Sequence, residues 1–235
     1  GAGPAEFTAG PAMTRAQAVE AIGRGIRLVQ EQKAAGVQLL ATGEMGMGNT
    51  TTSSAVAAVL LGQPVERMTG RGAGLSDEGL ARKVDAIRRG ILRNKPDPTD
   101  PLDVLAKLGG FDLAGLCGVF LGGALEGVPV VMDGFISGVA ALCAVRLCPR
   151  VRDVLFLSHA SYEIGYRLAA RELGLEPCLL LGMRLGEGSG CPLLFRVMQG
   201  ACAVLNHMAT FPEAAIEDGY LAPIRQGDAF TVDKS

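Results

Sequence analysis

The sequence has 235 residues, of which 49% are hydrophobic, 20% charged and only 5% aromatic. Its 22 basic and 24 acidic residues leave a net charge of −2, which argues against nucleic acid and anionic membranes as partners. The 33 glycines and many other small side chains suit helices that pack closely on a parallel sheet, and they argue against a β-sandwich.

The chain is predicted to begin with an arm, a helix and a strand. Residues 1–12 form the arm, and Thr14 can cap a helix that runs to about Ala35. Gly36 ends this helix, and residues 37–41 form a short apolar strand. The strand leads directly into a glycine-rich loop.

Strands and helices alternate through the rest of the chain. Helices are predicted over about 50–61, 77–93, 101–108, 112–126, 135–147, 162–173 and 192–209, and strands over 128–132, 153–157 and 178–181. A second glycine-rich segment occupies 63–76, and the tail from Phe211 is irregular. This order predicts an α/β fold with a parallel sheet and right-handed crossovers. Ligands of such sheets bind beyond the carboxyl ends of the strands.

Residues 43–52 form the first loop and read Gly-Glu-Met-Gly-Met-Gly-Asn-Thr-Thr-Thr. The glycines let the backbone approach a ligand closely, and the helix that follows directs unpaired N–H groups at the same place. Glu44 adds a fixed negative charge, so the loop suits a ligand with both a phosphate and a cationic centre. Four residues of the loop are candidates for binding it, namely Gly46, Gly48, Asn49 and Thr50. Tight packing between the strand and the helix is the alternative.

Better-known loops of this kind do not fit the sequence. The phosphate loop of nucleoside triphosphatases needs a lysine where this chain has Asn49. The dinucleotide-binding fingerprint fails because its third glycine is replaced by Thr51. A Ser-His-acid triad is not supported, since no Gly-x-Ser-x-Gly elbow occurs.

A second loop, Gly186-Glu-Gly-Ser-Gly190, follows the strand predicted over 178–181. A carboxylate between glycines adds nothing to core packing and is costly to bury. The glycines on either side, including Gly188, would let a planar ring approach Glu187, which then accepts a proton. We expect Glu187 to be partly buried. A solvated turn is the alternative.

Positive charge and further polar groups lie near these loops. Arg71, between Gly70 and Gly74, and Lys83 in the next helix supply the charge, although a lone helical lysine is most often an exposed residue. The predicted strand ends bring four segments to one edge of the sheet, and these contain Glu44, Asp133-Gly134, Ser158-His159 and residues 182–190. His159 and Ser161 could bind ribose hydroxyls or could form only a structural turn.

The six cysteines include no Cys-x-x-Cys pair, and only His159 and His207 could help them to hold a metal. We expect reduced thiols in a cytoplasmic protein, with no metal site and no cofactor. The longest apolar stretch, residues 113–125, is shorter than the ~20 residues needed to span a bilayer, and no signal peptide is visible.

Five motifs occur in unbroken order between about Pro11 and Phe211. They are Gly43-Glu-Met-Gly-Met-Gly-Asn-Thr-Thr-Thr52, Gly70-Arg-Gly-Ala-Gly74, Asp133-Gly-Phe-Ile-Ser137, Met183-Arg-Leu-Gly-Glu-Gly-Ser-Gly190 and Asn206-His-Met-Ala-Thr-Phe211. Together they closely resemble one family, the nicotinate-nucleotide–dimethylbenzimidazole phosphoribosyltransferases of the pathway that builds the lower ligand of cobalamin.

The resemblance implies transfer of a phosphoribosyl group from nicotinate mononucleotide to a nitrogen of 5,6-dimethylbenzimidazole or a similar base. The products would be α-ribazole 5′-phosphate and nicotinate. Glu187 matches the family's catalytic base, and Leu185-Gly186 matches the segment that contacts the benzimidazole. The positions that line the nucleotide are matched by Glu44, Gly46, Gly72, Lys83 and Gly134. We expect Glu44 to contribute to catalysis as well, by stabilising positive charge at the ribose carbon.

The resemblance also implies a Rossmann-like parallel sheet with helices on both faces, remnants of a small helical domain, and a homodimer. We expect an N-terminal arm and helix over 1–35, a catalytic domain over 36–210 and an irregular tail over 211–235. Family members carry a further N-terminal part that contacts the benzimidazole. The resemblance leaves two alternatives: the N-terminal part was removed from this sequence, or the protein is a naturally short relative. The second alternative would put benzimidazole binding in question and leave the nucleotide side intact. A non-catalytic nucleotide- or ribazole-binding protein on the same scaffold is the alternative function.

Overall fold

The protein is described by a computed structural model over residues 4–45, 48–72, 74–217 and 219. Its chain divides into two compact units, Gly1–Leu194 and Phe195–Ser235. The described α-helices are α1 (Arg15–Ala34), α2 (Asn49–Leu60), α3 (Val65–Met68), α4 (Asp77–Asn94), α5 (Pro101–Leu108), α6 (Phe111–Glu126), α7 (Phe135–Leu147), α8 (Tyr166–Leu173) and α9 (Cys191–His207). The strands are β1 (Leu40–Ala41), β2 (Val130–Met132) and β3 (Leu155–Leu157).

The three strands form a parallel sheet in the order β1-β2-β3. Leu40 pairs with Val130, and Val131 pairs with Phe156. All three residues of β2 are fully buried although successive side chains point to opposite faces, so helices cover the sheet on both sides. The predicted α/β fold with a parallel sheet is confirmed.

Helix α1 begins and ends where the sequence signals place it. The Thr14 hydroxyl accepts a hydrogen bond from the backbone N–H of Gln17 at 3.2 Å, and the Gln17 side chain accepts from the backbone N–H of Thr14 at 2.9 Å. This reciprocal pair satisfies two of the N–H groups that a helix leaves free at its start. Gly36, with φ +88°, ends the helix in the left-handed conformation that glycine adopts without strain.

Helices α1 and α6 cross with their backbones in contact. A Cβ atom at Gly25 would lie 2.8 Å from the carbonyl carbon of Gly118 and from the backbone nitrogen of Val119. A Cβ atom at Gly118 would lie 2.8 Å from the carbonyl carbon of Ile22. Only glycine fits at these two positions, so the crossing fixes the distance between the helices.

The strands are shorter than predicted. Of residues 37–41 only the last two pair with β2, and Pro129 beside them has no N–H to extend the ladder. A 3₁₀ helix (Pro149–Val154) takes up the start of the strand predicted over 153–157. The strand predicted over 178–181 was wrong, because Leu179 makes only an isolated bridge to His159. The leucines after it are exposed, so no packed layer supports a strand there.

The described helices differ from the predicted helices in two places. The helix predicted from residue 162 begins at Tyr166, and residues 162–165 form a turn. The short helix α3 lies inside the glycine-rich segment 63–76, for which no helix was predicted. The predicted division at residues 35 and 210 stays a prediction. Within the described ranges, no helix has the combined length and apolar character that a membrane span requires.

The α1–α6 crossing generates a prediction about stability. Gly118→Ala should lower the free energy of unfolding by about 1–3 kcal/mol or more, because the new methyl group overlaps the backbone of α1. Gly115→Ala, one turn away on α6, is the matched control. It meets no atom within 4 Å and should stabilise the helix by about 0.5–1 kcal/mol. Chemical denaturation of both variants checks this, and equal effects of the two would contradict the close crossing.

Candidate active site

A cavity of about 270 Å³ opens at the carboxyl ends of the strands. Eight of the residues predicted for the site line it, namely Glu44, Asn49, Thr50, Gly72, Gly134, Leu185, Gly186 and Glu187. Gly48, Lys83 and Gly188 lie just behind its wall, as described below, and Gly46 lies outside the described residues. The strand-end edge chosen from the sequence is therefore where these residues meet.

The two glycine-rich loops lie side by side at the mouth of this cavity. A Cβ atom at Gly43 would lie 2.8 Å from the backbone nitrogen and the Cα of Gly188, so the two chains touch through their backbones. A side chain at Gly43 would separate the loops, and at Gly188 the φ of +77° strains any residue that has a side chain. The carboxylates of Glu44 and Glu187 consequently border the same space.

The start of helix α2 forms one wall of the cavity. Gly48 is the N-cap residue with φ +88°, and it offers no side chain to the first N–H groups of the helix. These N–H groups and the positive end of the helix dipole make a binding place for an anion. Asn49 instead turns its side-chain amide to Glu44 and, at 3.2 Å, to Asp112.

Lys83, on helix α4, brings a positive charge to the start of α2. Its side chain is buried, and its Nζ donates to the Thr50 hydroxyl at 2.9 Å and to the carbonyl oxygen of Gly70 at 3.0 Å. An ammonium group has three N–H donors, so one remains for a ligand beside Gly72. Burial lowers the pKa of Lys83, and the charge of Glu163 opposes this shift. The alternative of an ordinary exposed lysine does not hold, and the nucleotide-lining role of Lys83 stays a prediction.

Glu44 lies in an environment that disfavours its negative charge. Burial is the main cause that raises the pKa of this carboxyl, and the charges of Asp112, Asp133 and Glu187 raise it further. The hydrogen bond from Asn49 opposes the shift. A bound cation would lower the pKa of Glu44 again, because its charge attracts the ionised carboxylate.

Glu187 is held in an unusual backbone conformation. Its φ is +58°, and the glycines on either side, Gly186 and Gly188, have φ +79° and +77°. The left-handed conformation costs a residue with a side chain about 1–2 kcal/mol. From the sequence, we interpreted the glycines as leaving room for a planar ring. In the structure they also adopt the positive φ angles of this left-handed turn. Our expectation of partial burial was wrong: the turn carries Glu187 outward, and its glycine neighbours have no side chains to cover it.

Asp133 was placed at the strand-end edge by the sequence, but no role was predicted for it. It follows β2 directly and is only 3% exposed. Its Oδ2 accepts a hydrogen bond from the N–H of Gly188 at 3.1 Å, and its Oδ1 accepts from the N–H of Gly190 at 3.2 Å. A hydrogen bond to a charged group contributes about 1.5–3 kcal/mol, so two of them can outweigh the strain at Glu187. The position of Asp133 at a strand end was the available signal.

The comparisons with known proteins agree with this geometry. A family model described as phosphoribosyltransferase matches residues 1–216. The nicotinate-nucleotide–dimethylbenzimidazole phosphoribosyltransferase of Desulforudis audaxviator is 51% identical over 92% of this chain and 61% of the relative. The protein of the same name from Acetivibrio thermocellus is 53% identical over 88% of this chain and 59% of the relative. The crystal structure of that enzyme from Thermus thermophilus superposes with a TM-score of 0.84 at 41% identity, over 92% of this chain and 63% of that chain.

The chain belongs to this phosphoribosyltransferase family. The resemblance drawn from the five motifs is therefore confirmed. As a member of the family, the chain spans about 60% of the length of the curated relatives it matches. The roles of individual residues at the strand ends stay predictions.

The environment of Glu44 predicts how stability depends on pH. Because the native carboxyl has the higher pKa, the native state holds its proton where the unfolded state has lost it, and stability falls as pH rises through the native pKa. Glu44→Gln removes this penalty and keeps an oxygen for Asn49. We expect the variant to melt at a higher temperature than the parent at pH 8. The difference should vanish below about pH 4, near the ordinary pKa of Glu.

Melting curves of both proteins between pH 4 and pH 8 check this prediction. Glu31→Gln, at an exposed position of α1, is the matched control and should show no such trend. A Glu44→Gln variant that melts lower than the parent at pH 8 would contradict the assigned cause.

Proposed function

We propose that the protein transfers the phosphoribosyl group of nicotinate mononucleotide to 5,6-dimethylbenzimidazole or a similar base, and releases nicotinate. The observation that carries this proposal is the contact between the loops of Glu44 and Glu187, which puts a strained carboxylate and an anion-binding helix end around one cavity. The names of the similar enzymes support the same reaction.

The nucleotide phosphate fits the wall made by α2. Its oxygens can accept from N–H groups at the start of the helix, which no side chain caps, and from the remaining N–H of Lys83. Gly72, with φ +55°, leaves room beside Lys83 and Thr50 because it has no side chain. A phosphate held there would bring the ribose near the carboxylates that line the same cavity.

The pyridinium glycoside and the ribose fit the space beside the Glu44 carboxylate. When the glycosidic bond breaks, its electron pair goes to the pyridine nitrogen, so nicotinate leaves with a neutral ring and needs no general acid. Positive charge develops at the ribose carbon, and Glu44 can stabilise it electrostatically. Burial, and then the neighbouring carboxylates, raise the pKa of Glu44 in the free protein, and the positive charge at the ribose carbon would favour its ionised form.

The acceptor base completes the reaction at Glu187. A benzimidazole nitrogen attacks the ribose carbon from the face opposite the leaving nicotinate, which inverts the anomeric centre. The other ring nitrogen loses its proton to the Glu187 carboxylate. Leu185 is exposed beside the glutamate and offers an apolar surface for the planar ring. The Gly186 and Gly188 positions leave the ring access to the carboxylate.

Other functions fit the site less well. A protein that only binds nucleotides has no use for a carboxylate held in a strained left-handed turn, and Glu187 is such a group. A triphosphatase needs a lysine at Asn49, whose amide here binds two carboxylates. Assembly as a homodimer, the preferred base and a cytoplasmic location stay predictions from the sequence.

The proposed base makes the first prediction for activity. Glu187→Gln keeps the size of the side chain but removes the proton acceptor, and we expect it to lower kcat by at least about 100-fold. Binding of nicotinate mononucleotide should be unchanged, because the phosphate wall is intact. Release of nicotinate, with both substrates present, and calorimetric titration of the nucleotide measure the two effects. Glu176→Gln, at an exposed position, is the matched control. Near-parent kcat in the Glu187 variant would remove it from the role of base.

The buried lysine makes the second prediction. Lys83→Met keeps the length of the side chain and removes the charge, so KM for nicotinate mononucleotide should rise at least about tenfold, with a smaller effect on kcat. Steady-state kinetics measures this, and a melting curve checks that the variant folds. Lys33→Met, on the exposed side of α1, is the control. An unchanged KM would show that Lys83 does not contact the phosphate.

A further inference from the structure

The loop that carries Glu187 has one charged group bonded to its backbone among the described residues. Both oxygens of the Asp133 carboxylate accept from this loop, one from Gly188 and one from Gly190. The two bonds span the residue after the glutamate and the start of α9, so they define the path of the turn on one side. Hydrogen bonds to a carboxylate are stronger and more directional than those between neutral groups.

The rest of the turn is bounded by contacts that carry no charge. Gly188 touches the backbone of Gly43, and a Cβ atom at Gly190 would lie 3.0 Å from the Cε1 atom of His159. The His159 Nδ1 atom is 3.7 Å from the Asp133 Oδ1 atom, which is beyond hydrogen-bond distance. These contacts limit how far the loop can move inward. The turn is closed by its own hydrogen bonds, from the N–H of Ser189 to the carbonyl oxygen of Gly186 at 3.0 Å and from the N–H of Cys191 to that of Gly188 at 3.1 Å. Among the described residues, Asp133 is the charged side chain that bonds this turn to the end of β2.

We propose that Asp133 is a positioning residue for the reaction, which holds the left-handed turn and thereby points the Glu187 carboxylate at the acceptor base. This inference rests on the proposed function. Asp133 borders the cavity, yet it is not itself the base, because both of its oxygens are occupied by backbone N–H groups. A glutamate in a strained turn needs such a tether, since an untethered turn relaxes toward commoner backbone angles and displaces the carboxylate.

The burial of Asp133 supports this role over a purely structural one. A buried carboxylate adds little to stability compared with an apolar side chain, so its place at the end of β2 needs another reason. The core around the sheet is apolar and does not require it. The loop that Asp133 holds lies at the edge where the cavity opens. Removal of the Asp133 carboxylate should therefore loosen the turn before it affects the core.

Asp133→Asn tests the proposal with a side chain of the same shape. The amide keeps one acceptor oxygen but turns an NH₂ group toward the second glycine N–H, so one of the two bonds is lost. We expect kcat to fall between about tenfold and 100-fold, the range caused by a small misplacement of a reacting group, while KM for nicotinate mononucleotide changes less than about threefold. Backbone hydrogen exchange of residues 186–191 should become faster.

A double-variant cycle separates positioning from a general structural effect. If Asp133 acts through Glu187, adding Asp133→Asn to Glu187→Gln should lower kcat by less than about twofold more. A full further loss in the double variant would overturn the proposal, and so would unchanged kcat or unchanged exchange in the single variant. Asp153→Asn, at an exposed position in the 3₁₀ helix, is the matched control and should change none of these quantities.

The same experiment distinguishes this proposal from the proposed function. If the parent chain releases no nicotinate from the two substrates, the proposed reaction fails and the positioning role fails with it, while faster exchange would still support the tether. If the parent is active and Asp133→Asn behaves like the parent, only the positioning role is overturned.

Discussion

The carboxylate of Asp133 joins parts of the molecule that are far apart in the sequence. It extends from the central strand β2 and accepts the N–H groups of Gly188 and Gly190, while Gly188 rests on the backbone of Gly43. The parallel sheet puts the end of β2 between the other two strand ends, so this one side chain can reach the late loop beside the early one. The shape of the cavity depends on that arrangement.

The cavity brings groups of both charges together. The start of α2 and the buried ammonium of Lys83 favour an anion. Glu44, which accepts a hydrogen bond from Asn49 at the start of the same helix, has a raised pKa because it is half-buried near further carboxylates, so a nearby cation would be stabilised. The proposed nucleotide, with a phosphate at one end and a pyridinium ring at the other, carries the two complementary charges.

The fold followed from local signals wherever those signals were sufficient. Thr14 with Gln17 fixed the start of α1, and the glycine-rich loops marked the edge of the sheet that opens the cavity. Local sequence signals failed where strand formation depends on pairing with a distant segment. Leu179 lies in an apolar run that is typical of a strand, yet it forms only an isolated bridge to His159. The burial of Lys83 and the exposure of Glu187 also depend on distant segments, which the local sequence does not describe.

The left-handed backbone at Glu187 has a consequence for how the gene can change over generations. A glycine there would adopt the same angle without a steric penalty, so the physics of the chain favours loss of the glutamate. In a lineage that no longer needed the glutamate, its replacement by glycine would remove this strain and stabilise the fold. The folded chain therefore keeps an acid at a position where its backbone angle favours glycine.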